Sequence, residues 1–345
     1  MTAFSSARSG VLPLIALSAV LLGGCAATPH ADASPDDGTA PVDTLRIGFA
    51  SDPDFTQIAN YKWLADLEDS EGITVEESYF TSSQDSFRAL VSGELDMAFG
   101  TLSSGIALVT QGGDPISAIV SDMKAPDYIL VADDALDDLK DLEGKRLGIS
   151  TPGDISDSLT KAVLTREGVD IQKIQFLQVG GTSARMGGLV SGQIDAGPAH
   201  AADGLAAIAQ GGLKNLYSYG NTIGDYLQQV VFVNDDWATA HADFVQAAVD
   251  GFIESVRWAA ANKDEYIELA ADYVEGLEPD VASEAYDVFS DVGMFAVNGG
   301  MDESLLENTV AIEQEVGALS GEVPASSEWA DTRFVERYLE ENGEQ

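Results

Sequence analysis

Leu90-Val91-Ser92-Gly93-Glu94-Leu95-Asp96 is answered further along the chain by Leu189-Val190-Ser191-Gly192-Gln193-Ile194-Asp195. In both copies the spacing predicts a helix that ends on Ser-Gly, then a strand with an aspartate one residue after an aliphatic side chain. Glycine just past a helix takes the left-handed backbone that stops it, so Gly93 and Gly192 have a plain structural reason. The surroundings match as well. Each copy follows a strand and a polar turn, Tyr79-Phe80-Thr81-Ser82-Ser83 in the first and Leu177-Gln178-Val179-Gly180-Gly181-Thr182-Ser183 in the second. One heptapeptide can match by chance; a heptapeptide in the same context points to duplication of a lobe.

Working outward, strand and helix alternate. Residues 45–50, 74–80, 95–99, 116–120 and 128–132 read as strands, and 55–67, 84–91 and 105–110 as helices. Short apolar runs separated by helices of this length imply mostly parallel sheets covered by helices. Ligands on such sheets bind at the carboxyl ends of the strands, beside helix N-termini.

At the start of the chain, Arg8 precedes an apolar run over 11–21 and then Leu22-Gly23-Gly24-Cys25. A cationic start, a short apolar segment and small residues make a secretory signal, and the run is too short to span a bilayer. The pattern resembles a bacterial lipoprotein box, in which the cysteine is lipidated and becomes the new N-terminus. Residues 1–24 are therefore expected to be a signal peptide and Cys25 a lipid attachment site. The next segment, 25–42, is rich in Ala, Asp, Pro, Thr and Gly without hydrophobic period, which predicts a flexible tether.

Composition bounds the remainder. About 320 residues suits roughly two domains with sizeable cores. Cys25 is the single cysteine, so no internal disulfide, thiolate metal site or cysteine nucleophile is available to the folded part. The histidines are His30, His200 and His241, which argues against a histidine-rich metal centre. Neither a metal nor a cofactor is expected. Against 58 Asp and Glu stand 17 Lys and Arg, a formal net charge of −41. Such a chain repels phosphate backbones, so nucleic acid is excluded as a partner, and anionic lipid surfaces are disfavoured. Dense carboxylates favour a soluble monomer, most of all where external salt screens self-repulsion.

Asp141-Leu142-Glu143-Gly144-Lys145-Arg146-Leu147-Gly148-Ile149 resembles the segment that opens the second lobe of type II periplasmic solute-binding proteins. Together with both Ser-Gly-x-x-Asp units and the lipid box, residues 45–233 resemble the nitrate/sulfonate/taurine group of that family. The group includes binding proteins for alkanesulfonates and for thiamin-precursor pyrimidines. The resemblance implies an α/β, two-lobed periplasmic-binding-protein type II fold, with mixed, mostly parallel sheets joined by two crossing strands. Lobe one is expected over 43–131 and 230–345, and lobe two over 132–229. Tyr128-Ile129-Leu130-Val131 and Val230-Val231-Phe232-Val233 would form the hinge, with helices over 244–261 and 263–274 and the acidic tail packing back on lobe one. The implied function is a lipid-anchored, extracytoplasmic receptor that closes on a small molecule and delivers it to the permease subunits of an ABC importer, with no bond chemistry.

Strand ends nominate the cleft. Ser51, Asp52 and Phe55 follow the first strand; Thr101, Ser103 and Ser104 follow the third; Ser121 and Asp122 follow the fourth. In lobe two, Ile149-Ser150-Thr151-Pro152-Gly153-Asp154-Ile155-Ser156 is a strand, a turn and the start of a helix whose free N–H groups suit an anionic or polar group. Thr151, Gly153, Asp154 and Ser156 are candidates there, although Asp154 or Ser156 also suits a helix cap. Thr182 and Arg185 belong to the equivalent turn before the repeated helix, and His200 lies just past the strand 194–198. Phe99, Tyr79 and Trp63 read as core.

Two ligand chemistries fit these residues. A sulfonate or nitrate suits helix N-termini and an arginine; neutral heteroaromatic or amine-bearing ligands suit Asp52, Asp122 and Asp154 better. Two other classes share the fold. An enzyme acting on a small heterocycle is one, but the second-lobe cysteine of porphobilinogen deaminase and the cysteine-rich stretch of yeast-type pyrimidine synthases are absent, as is a glycine-flanked serine elbow. A ligand-sensing adaptor for a membrane receptor is the other.

Overall fold

The computed structural model describes residues 41–51 and 53–345. The proposed signal peptide, most of the tether, Cys25 and Asp52 lie outside the described residues.

Both halves begin with the same run of elements. The first half is β1 (Thr44–Phe49), α1 (Ile58–Glu71), β2 (Thr74–Tyr79), α2 (Ser83–Val91), β3 (Met97–Gly100), α3 (Leu102–Gly112) and β4 (Ile116–Val120). After β5 (Tyr128–Asp133), the second half runs β6 (Arg146–Ile149), α4 (Ile155–Arg166), β7 (Gln175–Gln178), α5 (Thr182–Val190), β8 (Ala196–His200), α6 (Ala201–Ile208) and β9 (Leu213–Ser218). Then follow α7 (Gly220–Ile223), β10 (Val230–Asn234) and six further helices: α8 (Asp235–Ala240), α9 (Ala242–Ala261), α10 (Lys263–Tyr273), α11 (Pro279–Asp291), α12 (Glu303–Glu315) and α13 (Arg333–Asn342).

Two five-stranded sheets result, ordered β2-β1-β3-β10-β4 and β7-β6-β8-β5-β9. In each, the fourth strand is the reversed one: β10 runs antiparallel to β3 and β4, and β5 antiparallel to β8 and β9. The two sheets have exchanged these strands along the chain. β5 directly follows the first-sheet strand β4 yet lies in the second sheet, and β10 returns to the first.

The expected hinge strands are thereby placed differently. β5 and β10 have sheet partners on both edges, so their backbone groups are satisfied within one sheet and leave nothing to span the gap. The crossings are made instead by residues 121–127 and 219–229, tied where Tyr226 N donates to Lys124 O at 2.8 Å.

Burial follows the strand period of two. On β5, Ile129 and Val131 join the larger apolar cluster while Leu130 and Ala132 join the smaller one under α4, with Leu147, Leu159 and Val163. Helix α9 packs on α1, where Trp63 Nε1 donates to Ala248 O at 2.8 Å and Ser255 Oγ to Ala59 O at 2.6 Å. The C-terminal helices do not all return to the first sheet. α11 lies along α6, and Ile312 of α12 enters the smaller, second-sheet core.

The aspartate of each repeat has a matched role. Asp96 Oδ2 accepts from Arg46 N at 2.8 Å and Arg46 Nε at 3.0 Å; Asp195 Oδ2 accepts from Arg146 N at 2.8 Å and Arg146 Nε at 3.0 Å. Each arginine also reaches the carbonyl of the helix-ending glycine, Gly93 or Gly192.

Candidate ligand-binding cleft

The carboxyl ends of both sheets face a cavity of about 200 Å³. From the first sheet it receives Ala50 and Ser51 behind β1, Asp54 and Thr56 in the next turn, Ser83 at the start of α2, and Gly100 and Thr101 at the end of β3. From the second it receives His200 at the end of β8, Ile155 at the start of α4, and Tyr128 at the start of the reversed strand β5. Gln228 and Gln229 line it from the second crossing segment.

Asp54 is held by its own turn. Its backbone is extended and its Oδ1 accepts from Thr56 N at 2.8 Å and from the Thr56 hydroxyl. Among the described residues its Oδ2 has no hydrogen-bond partner. Burial pushes the carboxyl above its ordinary range, and His200 across the cavity pulls the other way.

His200 is fixed by a fully buried acid. Its Nδ1 lies 3.0 Å from both oxygens of Asp127, and its ring packs on Tyr128 with centroids 4.5 Å apart. Burial opposes the imidazolium, but Asp127, with Asp54 and Asp203 beyond it, prevails and takes the pKa up to about 9. Asp127 lies below its usual range: burial raises it, and His200, Gln228 and the Ala201 amide overcome that. Gln228 Nε2 donates to Asp127 Oδ1 at 3.0 Å, while Asp127 N donates to Gln228 Oε1 at 3.3 Å. The pair therefore links the two crossing segments and, through His200, the second sheet.

The N-terminus of α4 is already occupied by protein groups. Asp154 Oδ1 accepts from Asp157 N and Ser156 Oγ, both at 2.9 Å, and Gly153 N donates to Asp157 Oδ2 at 2.8 Å. By contrast, among the described residues no side chain caps α3, whose N-cap residue Thr101 lines the cavity. The Thr101 hydroxyl donates to Ser104 Oγ at 2.9 Å, and Ser51 Oγ accepts from Gln57 Nε2 at 2.9 Å.

Of the residues nominated from sequence, Ser51, Thr101 and His200 meet in this cavity. Phe55 turns into the core, packed on Tyr266 and Phe289 with centroids 5.2 and 5.5 Å away. Asp122 is buried against Asn60, whose Nδ2 donates to Oδ2 at 2.8 Å. Ser103 faces Glu313 of α12 instead of the cavity. Thr151 is exposed, Gly153 borders a separate depression beside α4, and Ser156 is buried between Ser150 and Asp154. Arg185 is also buried: it donates to Pro198 O at 2.8 Å, Gly180 O at 2.6 Å and Thr182 Oγ1 at 3.1 Å, which spends its fork on backbone and on Thr182. Trp63 and Phe99 are core, but Tyr79 is 41% exposed, stacked on Phe49. Asp54, Tyr128, Gln228 and Gln229 line the cavity without having been nominated.

The NMT1/THI5-like family profile matches residues 69–266, more than half of the chain. The chain belongs to the NMT1/THI5-like family. No curated protein matches it significantly. Solved structures similar to this NMT1/THI5-like chain include a putative periplasmic sulfonate-binding protein SsuA of a sulfonate ABC transporter from Methylobacillus flagellatus. It is 18% identical with a TM-score of 0.69, over 87% of this chain and 95% of that one. The ligand-binding component of an ABC-type import system from Staphylococcus aureus, solved with zinc bound, is 14% identical with a TM-score of 0.68, over 86% and 99%. The alkanesulfonate-binding protein SsuA from Xanthomonas axonopodis pv. citri, bound to MOPS, is 18% identical with a TM-score of 0.65, over 85% and 100%. The two-lobed periplasmic-binding-protein fold that the resemblance implies is the fold observed. Among the described residues no group of three or more His, Cys, Asp or Glu side chains is arranged to hold a metal ion. No helix among them is long and apolar enough to cross a membrane.

Proposed function

We propose that this chain is the lipid-anchored, extracytoplasmic solute-binding subunit of an ABC importer. It captures a small polar molecule between the two sheets and hands it to the permease subunits without chemical change. The supporting observation is that Asp54, from the turn behind the first sheet, and His200, from the end of β8 in the second, line a single cavity. Family membership and structures from import systems support the transport role. Cys25 in its Leu-Gly-Gly-Cys setting supports the anchor.

The lining favours a particular ligand chemistry. Asp54 in the lining and the buried Asp127 behind His200 outnumber the one imidazolium, a setting that suits a nitrate or simple sulfonate less than an N–H donor. Arg185, the cation expected to receive an anion, is spent on protein groups. An amine or N–H-bearing heterocycle suits Asp54 Oδ2, with an acceptor on the same molecule turned toward the start of α3 or toward His200. At about 200 Å³ the cavity lies below the range of about 300–1,000 Å³ usual for drug-sized ligands, so the molecule is small.

The His200–Asp127 pair is the observation that favours an enzyme, since a carboxylate-held imidazolium is placed to act as a general acid. Native mass spectrometry of protein isolated from its own host separates the two readings. A retained, unmodified amine or heterocycle supports capture; a ligand consumed on incubation supports catalysis.

A further inference from the structure

Three consecutive residues of the second crossing segment, Asp225 to Leu227, are held by side chains of α12. Asn308 Nδ2 donates to Asp225 O, Thr309 Oγ1 accepts from Leu227 N at 3.0 Å, and Glu313 Oε1 accepts from the Tyr226 hydroxyl at 2.9 Å. Gln228 and Gln229, which line the cavity, follow immediately. Tyr226 is fully buried in the smaller core, and its amide binds the first crossing segment at Lys124 O.

Glu313 is the unusual member of this set. It is completely buried, and its Oε2 has no hydrogen-bond partner among the described residues. Ser103 from α3 faces the same carboxyl, and Tyr128 neighbours Tyr226 from β5. Arg166 of α4 approaches the same end of α12 but pairs with Glu315. A buried carboxylate without a counter-cation is strongly disfavoured, so such a group keeps its proton. Burial accordingly pushes Glu313 above its ordinary range, with Tyr226 and Ser103 opposing, and pushes the Tyr226 phenol well above its own.

We propose that Glu313 is a positioning residue of the cleft: as a neutral acid it fixes, through Tyr226, the segment that presents Gln228 and Gln229 to the ligand, and its ionisation frees that segment. An ionised carboxylate must recover water, and separation of the last turn of α12 from residues 225–227 would admit it. The inference rests on the cavity being the ligand site, but its test uses no ligand, so its failure leaves the transport reading standing.

The experiment combines infrared spectroscopy with hydrogen exchange at residues 225–229, corrected for intrinsic rates, on the mature protein. Glu313→Gln keeps an acceptor for Tyr226 and cannot ionise. It is expected to remove one protonated-carboxyl stretch at neutral pH while leaving exchange at the segment unchanged. Glu313→Ala and Tyr226→Phe are expected to speed that exchange at least about tenfold, the usual consequence of a lost buried bond. Raising the pH is expected to speed corrected exchange in the wild type but not in Glu313→Gln. An unchanged carboxyl band in Glu313→Gln overturns the proposal, as does an identical pH profile in the two proteins. Should Glu313→Ala fail to fold, the comparison of wild type, Glu313→Gln and Tyr226→Phe still decides.

Discussion

His200 meets Asp127 through Nδ1, 3.0 Å from each carboxylate oxygen, and the aspartate is wholly buried while the imidazole borders the cavity. One side chain thus sets both the orientation and the charge of the group that faces the cavity.

That pair makes stability depend on alkaline pH. The folded imidazole titrates at about 9, against about 6.5 in an unfolded chain. Its contribution is fully present below about 6.5 and is lost as the pH rises through 9. The thermal midpoint of the wild type should fall across this window, and Asp127→Asn should lose most of that component. Asp122, raised by burial to about 7, also loses stabilising protonation as the pH climbs from about 4 through 7. The informative quantity is therefore the difference between variant and wild type above pH 7. Parallel curves there would refute the assignment.

The duplicated Arg–Asp pairs should be unequal in energy. Asp96 is 2% exposed at its side chain and Asp195 25%, although both hold an arginine and a backbone N–H. Asp96→Ala should cost about 2–3 kcal/mol and Asp195→Ala about 1–2 kcal/mol, since the more buried carboxylate leaves its donors drier. Urea unfolding measures both. Equal costs, or costs near zero, would contradict this division.

The fold was legible because the repeat is a packing unit. The aliphatic side chain before each aspartate, Leu95 or Ile194, fills the space over a glycine: a Cβ on Gly48 would sit 2.5 Å from Leu95 Cδ1, and one on Gly148 2.5 Å from Ile194 Cδ1. The same correspondence extends to Arg46-Ile47-Gly48 with Arg146-Leu147-Gly148 and to Asp54-Phe55-Thr56 with Asp154-Ile155-Ser156, a signal that would have pointed to Asp54. It would not have separated the two aspartates. Asp54 faces the cavity and Asp154 caps α4 because of how the two sheets confront each other, which no local pattern encodes. Phe55 and Ile155 diverge for a related reason: Tyr266 of α10 and Phe289 of α11 draw Phe55 inward, and those helices have no counterpart in the second half. Gln228 and Gln229 lie in an irregular crossing segment, where periodicity offers nothing.

Charge is distributed unevenly between the halves. Residues 128–218 hold eight Lys and Arg against twelve Asp and Glu, a net of −4, whereas the chain totals −41. The first sheet and the C-terminal helices therefore carry most of the self-repulsion. Raising salt from 0.1 to 1 M shortens the screening length from about 10 to about 3 Å, so the thermal midpoint of the mature protein should rise by several degrees. Exchange protection should rise more in α9 and α13 than in α4 and α5. A midpoint indifferent to salt, or a uniform gain in protection, would contradict this reading.

The most direct measurement is a thermal-shift titration of wild type and Asp54→Asn against amines, N-heterocycles, sulfonates and nitrate. Capture by Asp54 predicts that an amine or N–H heterocycle raises the wild-type midpoint saturably, following ligand over its dissociation constant. The same compound should shift Asp54→Asn far less and be recovered unchanged. Stabilisation by sulfonate or nitrate alone, equal in both proteins, would contradict the account.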